Sequence, residues 1–202
     1  MKKHKIWNKG KVVGAKPPLS VDEINLIRGL LKQASDKRNL VLFCLAIDTS
    51  FRASDLVKLR VFDVMASNKV LDVIRITQTK TSKPVVGLIT PATRQFISEY
   101  VTASSKGAVD HLFTSNKGKS AGHITTQQYR KLVKQWLEKA GMDSAIYSTH
   151  SLRRSKISHI YKHTGNLRAC QKLLGHSSIQ TTANYLGIEE SEAIDIARAF
   201  DI

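Results

Sequence analysis

The chain has 202 residues, 42% of them hydrophobic, which is enough for one packed domain and argues against wholesale disorder. Its formal net charge of +16 indicates a polyanionic partner, either a nucleic acid or an anionic membrane. The sequence contains no apolar run of about 18 residues and no signal-peptide-like start, so we expect no membrane insertion, no secretion and a cytoplasmic protein.

Residues 1–19 are predicted to form a basic, flexible arm. They contain no acidic residue and end shortly after the pair Pro17-Pro18. Such a segment is expected to stay disordered until it meets phosphate, although a solubilising tail is the alternative. The lysines expected to contact DNA are Lys2, Lys3, Lys5, Lys9, Lys11 and Lys16.

A packed, mainly helical domain is predicted over residues 20–187. Ser20 and Glu23 have the spacing of a capping box at a helix start. The segment NLVLFCLAIDTS is apolar nearly all round and predicts a helix in the core. The following RASDLVKLRVFDV predicts one further short helix.

A β-hairpin is predicted from residue 69 onward, because KVLDVIRITQTKTSKPVVGLIT contains two β-branched runs around a polar turn. Pro91 then starts a new helix, and another helix is predicted to end at Gly141. From residue 149 several short helices are expected, broken at three glycines: Gly165, Gly175 and Gly187. The predicted fold class is therefore mainly α with a small antiparallel β-sheet.

No metal or cofactor is expected. Cys44 and Cys170 lack metal-ligand spacing and are predicted to be small core residues in a reducing compartment. The sequence also lacks a P-loop glycine motif and an obvious carboxylate cluster for magnesium.

Two motifs near the C-terminus suggest anion chemistry. In HSLRR, Thr149 is the predicted N-cap, so that His150 and Arg153 share one face of the first helical turn, where an anion is favoured. In LLGHSSIQTTANYLG, His176 follows a helix end and Tyr185 comes nine residues later. Solvated basic residues and a core tyrosine are the alternative interpretations.

In their order, the motifs of this chain resemble the catalytic domain of the tyrosine recombinases, also called phage-type integrases. The resemblance covers about residues 20 to 187 and is carried by FRASDL (Arg52), QTKTSK (Lys80), HSLR (His150 and Arg153), LLGH (His176) and NYLG (Tyr185). The chain is similar to the short recombinases, among them those that invert fimbrial promoter segments.

The resemblance implies that Tyr185 attacks a DNA phosphodiester, forming a 3′-phosphotyrosyl link and releasing a 5′-hydroxyl. Arg52 and Arg153 are then expected to hold the non-bridging oxygens, and His176 to donate a further hydrogen bond. His150 is expected to assist proton transfer from the tyrosine.

The resemblance further implies that Lys80 protonates the leaving 5′ oxygen, although Lys83 lies on the same predicted turn. Asp55 is expected either to orient Arg52 or to form an ordinary helix ion pair. Lys83 and Arg154 are predicted to contact DNA. The basic residues expected to be solvated or to contact phosphate are Arg154, Lys156, Lys162, Arg168 and Lys172.

The implied partner is double-stranded DNA, bound by a homotetramer with one dimer per site, with a DNA-bending host factor or accessory protein in support. Residues 188–202 are predicted to form a helical tail that packs either on its own subunit or on a neighbour. Two other functions stay open: relaxation of DNA in the manner of a type IB topoisomerase, and DNA-binding regulation without catalysis. The target sequence and the direction of recombination are not legible from the sequence.

Overall fold

The computed structural model describes residues 16–115, 122–187, 194 and 197–198. The tail predicted over 188–202 therefore lies almost wholly outside the described residues. The same is true of five lysines of the arm: Lys2, Lys3, Lys5, Lys9 and Lys11.

Helices dominate the described part of the chain. Their bounds are α1 Val21–Gln33, α2 Lys37–Thr49, α3 Ala53–Leu56, α4 Val61–Val64, α5 Pro91–Ala103, α6 Thr126–Lys139, α7 Thr149–Thr164, α8 Leu167–Leu174 and α9 Ile179–Leu186. Helix α2 is buried along most of its length and packs against α1, α5 and α7. Its all-round apolar composition is the reason, and the prediction of a central helix is confirmed.

Two of the three predicted helix starts are confirmed by their caps. Ser20 Oγ accepts the Glu23 N–H, and the Glu23 side chain accepts the Ser20 N–H, so both halves of the capping box form. Thr90 caps α5, with Pro91 as its first residue. The prediction that Thr149 caps α7 is wrong, because Ser148 Oγ accepts the His150 N–H and Thr149 is the first helical residue.

Two small antiparallel sheets replace the single predicted one. Strands β3 (Val73–Thr77) and β4 (Pro84–Leu88) form the predicted hairpin, with Thr77 opposite Pro84. Strands β1 (Met65–Ala66) and β2 (Lys69–Val70) form a separate hairpin. Its two-residue turn has positive φ at both central positions, Ser67 and Asn68, as a turn that matches the strand twist requires.

The single short helix predicted after the core helix is two helices, α3 and α4. The Arg60 N–H donates to Asp63 Oδ2 at 2.8 Å, which starts α4 as a new helix. The backbone at Arg60 also forms a β-bridge with His111. Local capping and a long-range bridge together interrupt the helical run.

The core consists of one large cluster of apolar side chains and a small one beneath the C-terminal helices. The small cluster contains Ile157, Cys170 and Leu174, and Tyr185 packs against it half-buried. Both Cys44 and Cys170 are buried thiols, as predicted. Within the described ranges, no helix is long and apolar enough to cross a membrane.

The packed structure begins before Ser20. Leu19 is only 4% exposed, and its N–H donates to Ser155 Oγ on α7 at 2.9 Å. Lys16 Nζ donates to the Ala145 carbonyl at 2.5 Å. The part of the predicted arm from residue 16 to residue 19 is therefore held against the domain, because apolar and backbone groups there find partners on it.

Candidate active site

Arg153 lies at the centre of the site on α7, although it is only 4% exposed. Its Nη2 donates to the Leu174 carbonyl at 2.9 Å, while its Nη1 is buried and has no partner among the described residues. Burial lowers the pKa of Arg153 to about 10, so the group stays charged at neutral pH. One half of the guanidinium is anchored, and the other half is available to an anion.

Arg52 lies in the loop between α2 and α3. The chain turns sharply there because Ser50 adopts a left-handed conformation (φ 53°) at the end of α2, and buried Phe51 fixes the loop in the core. Arg52 Nη1 is buried and has no hydrogen-bond partner within the described ranges. Its positive charge acts to lower the pKa of both Arg153 and Tyr185. A second unpartnered guanidinium nitrogen therefore lies in the same region.

Asp55 binds the hairpin turn and not Arg52, so neither predicted role for it is found. Its Oδ1 accepts the Thr79 N–H at 2.9 Å, and its buried Oδ2 is without a partner in the described structure. The carboxylate also raises the pKa of Arg153 through its charge. Asp55 thus ties α3 to the turn that carries Lys80.

Gln78, which belongs to no motif that we identified in the sequence, fixes the hairpin against the end of α8. The side chain is buried, and its Nε2 donates to the Leu174 carbonyl at 3.2 Å. The same carbonyl accepts from Arg153 Nη2. One carbonyl at the end of α8 therefore sets the positions of both the hairpin and the arginine.

Gly175 makes this close approach possible. It ends α8 with φ +64°, and a Cβ there would lie 2.5 Å from Gln78 Nε2. Positive φ is open to glycine at little cost. The chain then turns directly into His176.

His176 is held through its Nδ1, which lies 3.1 Å from the buried Thr182 hydroxyl. Burial, followed by the charges of Arg153 and Arg52, lowers the pKa of His176 to about 4. The ring is therefore neutral at pH 7. The Thr182 hydroxyl has one proton and also lies 3.4 Å from the Ser178 carbonyl. When the hydroxyl donates to Nδ1, the proton of the imidazole lies on Nε2, which is then a hydrogen-bond donor; when it donates to Ser178, Nδ1 carries the proton.

Tyr185 on α9 lies beside this histidine, with ring centroids 5.4 Å apart and the rings nearly perpendicular. Its buried Oη lacks a well-formed hydrogen bond among the residues described, although it lies near enough to the Arg153 guanidinium for that contact to lower the pKa of the phenol. Burial raises the pKa of Tyr185, and the charges of Arg153, Arg154 and Arg52 oppose the increase. The phenol is therefore protonated in the free protein.

His150 lies at the exposed rim of the site, in the first turn of α7. Partial desolvation lowers the pKa of His150 below 6.5, and four arginines add to the effect: Arg153, Arg130, Arg154 and Arg52. The imidazole is thus neutral at pH 7 and able to accept a proton.

Lys80 and Lys83 both lie exposed on the hairpin turn. Lys83 lines a groove of about 400 Å³ together with His176, Arg168 and Lys172. Two lysines are therefore available on one turn, and the roles of Lys80 and Lys83 stay predictions.

Two of the basic residues predicted to be solvated or to contact phosphate are not exposed in the free protein. Arg154 is only 5% exposed, with Nη1 donating to the Lys16 carbonyl at 2.9 Å. Lys156 is half-buried and donates to the Asp48 carbonyl at 2.8 Å. The predicted DNA contact of Arg154 stays a prediction. Three other basic residues are exposed as predicted: Lys162, Arg168 and Lys172.

Comparison with known proteins gives a match over most of the chain. The model of the phage integrase family matches residues 18–192. The tyrosine recombinase XerD of Corynebacterium glutamicum is 30% identical over 188 residues, which are 89% of this chain and 60% of that protein. The probable integrase/recombinase YoeC of Bacillus subtilis is 30% identical over 174 residues, covering 86% of this chain and 90% of that protein.

Solved structures share the fold. The XerA recombinase has a TM-score of 0.72 at 22% identity, covering 90% of this chain and 64% of that one. The XerH site-specific recombinase, in a pre-cleavage complex with its difH substrate, has a TM-score of 0.71 at 19% identity, covering 91% of this chain and 54% of that one. The chain thus spans a little more than half the length of several of its relatives.

Proposed function

Since the chain belongs to the phage integrase family, we propose that it is a site-specific DNA recombinase that cleaves and rejoins strands through a 3′-phosphotyrosyl intermediate. One observation carries the proposal: two guanidinium nitrogens and the phenol oxygen are buried in the site without a well-formed hydrogen bond among the described residues, and they are Arg52 Nη1, Arg153 Nη1 and Tyr185 Oη. Buried donors without partners are costly and rare. A phosphodiester supplies acceptors for both arginines and an electrophile for the tyrosine.

In the cleavage step the Tyr185 oxygen forms a bond to phosphorus, and its proton passes to the neutral His150. The bond from phosphorus to the 5′ oxygen breaks, and Lys80 protonates that oxygen. The products are a 3′-phosphotyrosyl ester and a 5′-hydroxyl. Because one phosphate ester replaces another, a 5′-hydroxyl from a second strand reseals the DNA by the reverse step.

The two arginines stabilise the negative charge that develops on the non-bridging oxygens. Arg153 is held for this by its bond to the Leu174 carbonyl. His176 adds a neutral donor when its proton lies on Nε2. The removal of one such donor lowers the rate by about 10²–10³ in comparable sites.

The proposed partner is double-stranded DNA, and the net charge of +16 supports it. Binding is expected to weaken with salt, since each neutralised phosphate contributes about −0.9 to the slope of log affinity against log salt. A homotetramer on DNA, an accessory or bending protein and the packing of residues 188–202 stay part of the proposal. Deletion of 188–202 tests the tail: normal assembly and recombination without it would rule out coupling between subunits.

The test of the proposed function is covalent trapping. The protein is incubated in EDTA with nicked suicide substrates made from the DNA that flanks its gene, beside a Tyr185→Phe variant. An adduct on a denaturing gel that requires Tyr185 supports the proposal. Tight binding without an adduct indicates a regulator instead, and relaxation of plasmids of any sequence by the protein alone indicates a topoisomerase.

The general acid is tested with a substrate whose leaving 5′ oxygen is replaced by sulfur. A thiolate leaves without protonation, so this substrate restores cleavage only to a variant that lacks the general acid. Lys80→Met is expected to be rescued and Lys83→Met is not. The opposite pattern assigns the role to Lys83.

A further inference from the structure

The ring of Tyr185, the nucleophile of the proposed reaction, lies against a buried arginine, Arg154. The Arg154 guanidinium carbon lies 5.1 Å from the centroid of the Tyr185 ring, within the range of a cation–π interaction. Arg154 is adjacent to Arg153 on α7, and its Nε is buried without a hydrogen-bond partner among the described residues. Nη1 donates to the Lys16 carbonyl, and Nη2 lies close to Gly187.

These contacts join α7 to two other segments of the chain at one guanidinium. The backbone at Lys16 belongs to the segment before α1, Tyr185 lies on α9, and Gly187 ends α9 with φ +73°. Lys16 is itself fixed by its bond to Ala145, and nearby Leu19 by its bond to Ser155. The Arg154 guanidinium is therefore hydrogen-bonded to the Lys16 carbonyl and also packs against the Tyr185 ring.

We propose that Arg154 is a positioning residue for Tyr185, whose ring it holds toward the phosphate-binding arginines from an anchor on the Lys16 carbonyl. The proposal rests on the proposed function, in which Tyr185 is the nucleophile. A tyrosine on a short helix near the end of the packed domain needs such a support, because α9 has only eight residues and most of them are exposed or half-exposed.

The charges that face Tyr185 come from three elements: Arg153 and Arg154 from α7, Arg52 from the loop before α3, and His176 from the loop after α8. His176 is neutral at pH 7, so three arginines oppose the effect of burial on the phenol. Bound phosphate offsets the charges of Arg52 and Arg153, whereas the charge of Arg154 stays with the ring. Its loss is therefore expected to raise the pKa of Tyr185 in the substrate complex.

Arg154→Met tests the proposal, because methionine keeps much of the side-chain volume without the charge or the planar donor group. Lys162→Met is the matched control, since it removes the same charge from an exposed position on the same helix. Arg154→Lys keeps the charge but loses the planar guanidinium. It replaces the methionine variant in the test if circular dichroism shows that Arg154→Met does not fold. Tyrosines are labelled with ¹³C in the ring, and the Tyr185 signal is identified with Tyr185→Phe.

Two readouts separate the outcomes. In the free protein, Arg154→Met is expected to shift the Tyr185 signal and speed its ring flips, while Lys162→Met leaves both unchanged. On the suicide substrate, adduct formation by Arg154→Met is expected to slow by about 10-fold at pH 7 and to recover toward higher pH, with partial recovery in Arg154→Lys. An unchanged Tyr185 signal and pH profile would overturn the inference. If Arg154→Met shifts the Tyr185 signal but the wild-type protein forms no adduct, the contact between Arg154 and Tyr185 is supported and the proposed strand transfer is not.

Discussion

Arg153 is expected to lower the stability of the free protein while it serves the reaction. Burial lowers its pKa from 12.5 to about 10, which corresponds to about 3 kcal/mol against the charged group at about 1.36 kcal/mol per pH unit. Because pH 7 lies below both values, the group is charged in the folded and the unfolded chain and the whole penalty is present. It is relieved only above pH 10, where the folded protein loses the proton first.

Replacement of Arg153 by methionine is therefore expected to stabilise the fold. The variant loses the bond from Nη2 to the Leu174 carbonyl, worth about 1.5 kcal/mol, but that carbonyl still accepts from Gln78. The variant also loses the favourable interactions of the charged group with Tyr185 and Asp55. The net gain is therefore expected to be at most about 1.5 kcal/mol, or a rise of no more than about 3–6 °C in Tm for a chain of this size. Adduct formation is expected to fall by at least about 10².

Thermal unfolding by calorimetry, with and without millimolar sulfate, measures both effects. Sulfate is expected to raise the Tm of the wild-type protein and to have little effect on Arg153→Met, since the anion binds where the phosphate does. Arg75→Met is the control, because Arg75 is exposed on β3 and its loss relieves no buried charge. A Tm of Arg153→Met several degrees below that of the wild-type protein would show that Arg153 is a structural residue and refute the reasoning.

Three further outcomes are expected. Gly175→Ala should destabilise the fold by about 1–3 kcal/mol and slow adduct formation, because the alanine Cβ would clash with the Gln78 amide. Gly29→Ala is the control: it lies in open space on α1 and should stabilise the fold by about 0.5–1 kcal/mol. Denaturant unfolding measures both changes in stability. Thr182→Val should slow adduct formation about 10-fold and change the tautomer of His176 in ¹⁵N spectra, while Thr182→Ser retains both. The rate of adduct formation should fall as the pH falls through the pKa of His150, which lies below 6.5. If His150 is the proton acceptor, this decrease at low pH should be absent in His150→Gln.

Local signals in the sequence predicted most of the elements. The capping box at Ser20, the Thr90-Pro91 start and the three glycines that end α7, α8 and α9 are all found. Each depends on residues within about one turn of the helix end, so the chain order alone carries the information. The predicted cap at Thr149 is one residue too late, because the hydroxyl of the preceding Ser148 caps the helix instead.

The supports of the site were not predicted, because they depend on contacts between distant segments. Gln78 and Leu174 are 96 residues apart, and Arg154 and Lys16 are 138 apart. The sequence shows Arg154 only as one of two adjacent arginines, and a basic residue is mostly solvated. Its burial follows from the backbone of the N-terminal segment, which presents a carbonyl where α7 and α9 meet.

The charges around Tyr185 indicate that its proton leaves during the attack and not before it. In the free protein, burial raises the pKa of the phenol despite three nearby arginines. A bound phosphodiester adds a negative charge, which offsets part of that arginine charge, so binding alone does not favour the phenolate. In the proposed reaction the proton therefore needs an acceptor when the phosphorus–oxygen bond forms, and the neutral His150 at the rim is the proposed acceptor. Since further negative charge then develops on the phosphate, the same arginines bind the transition state more tightly than the substrate.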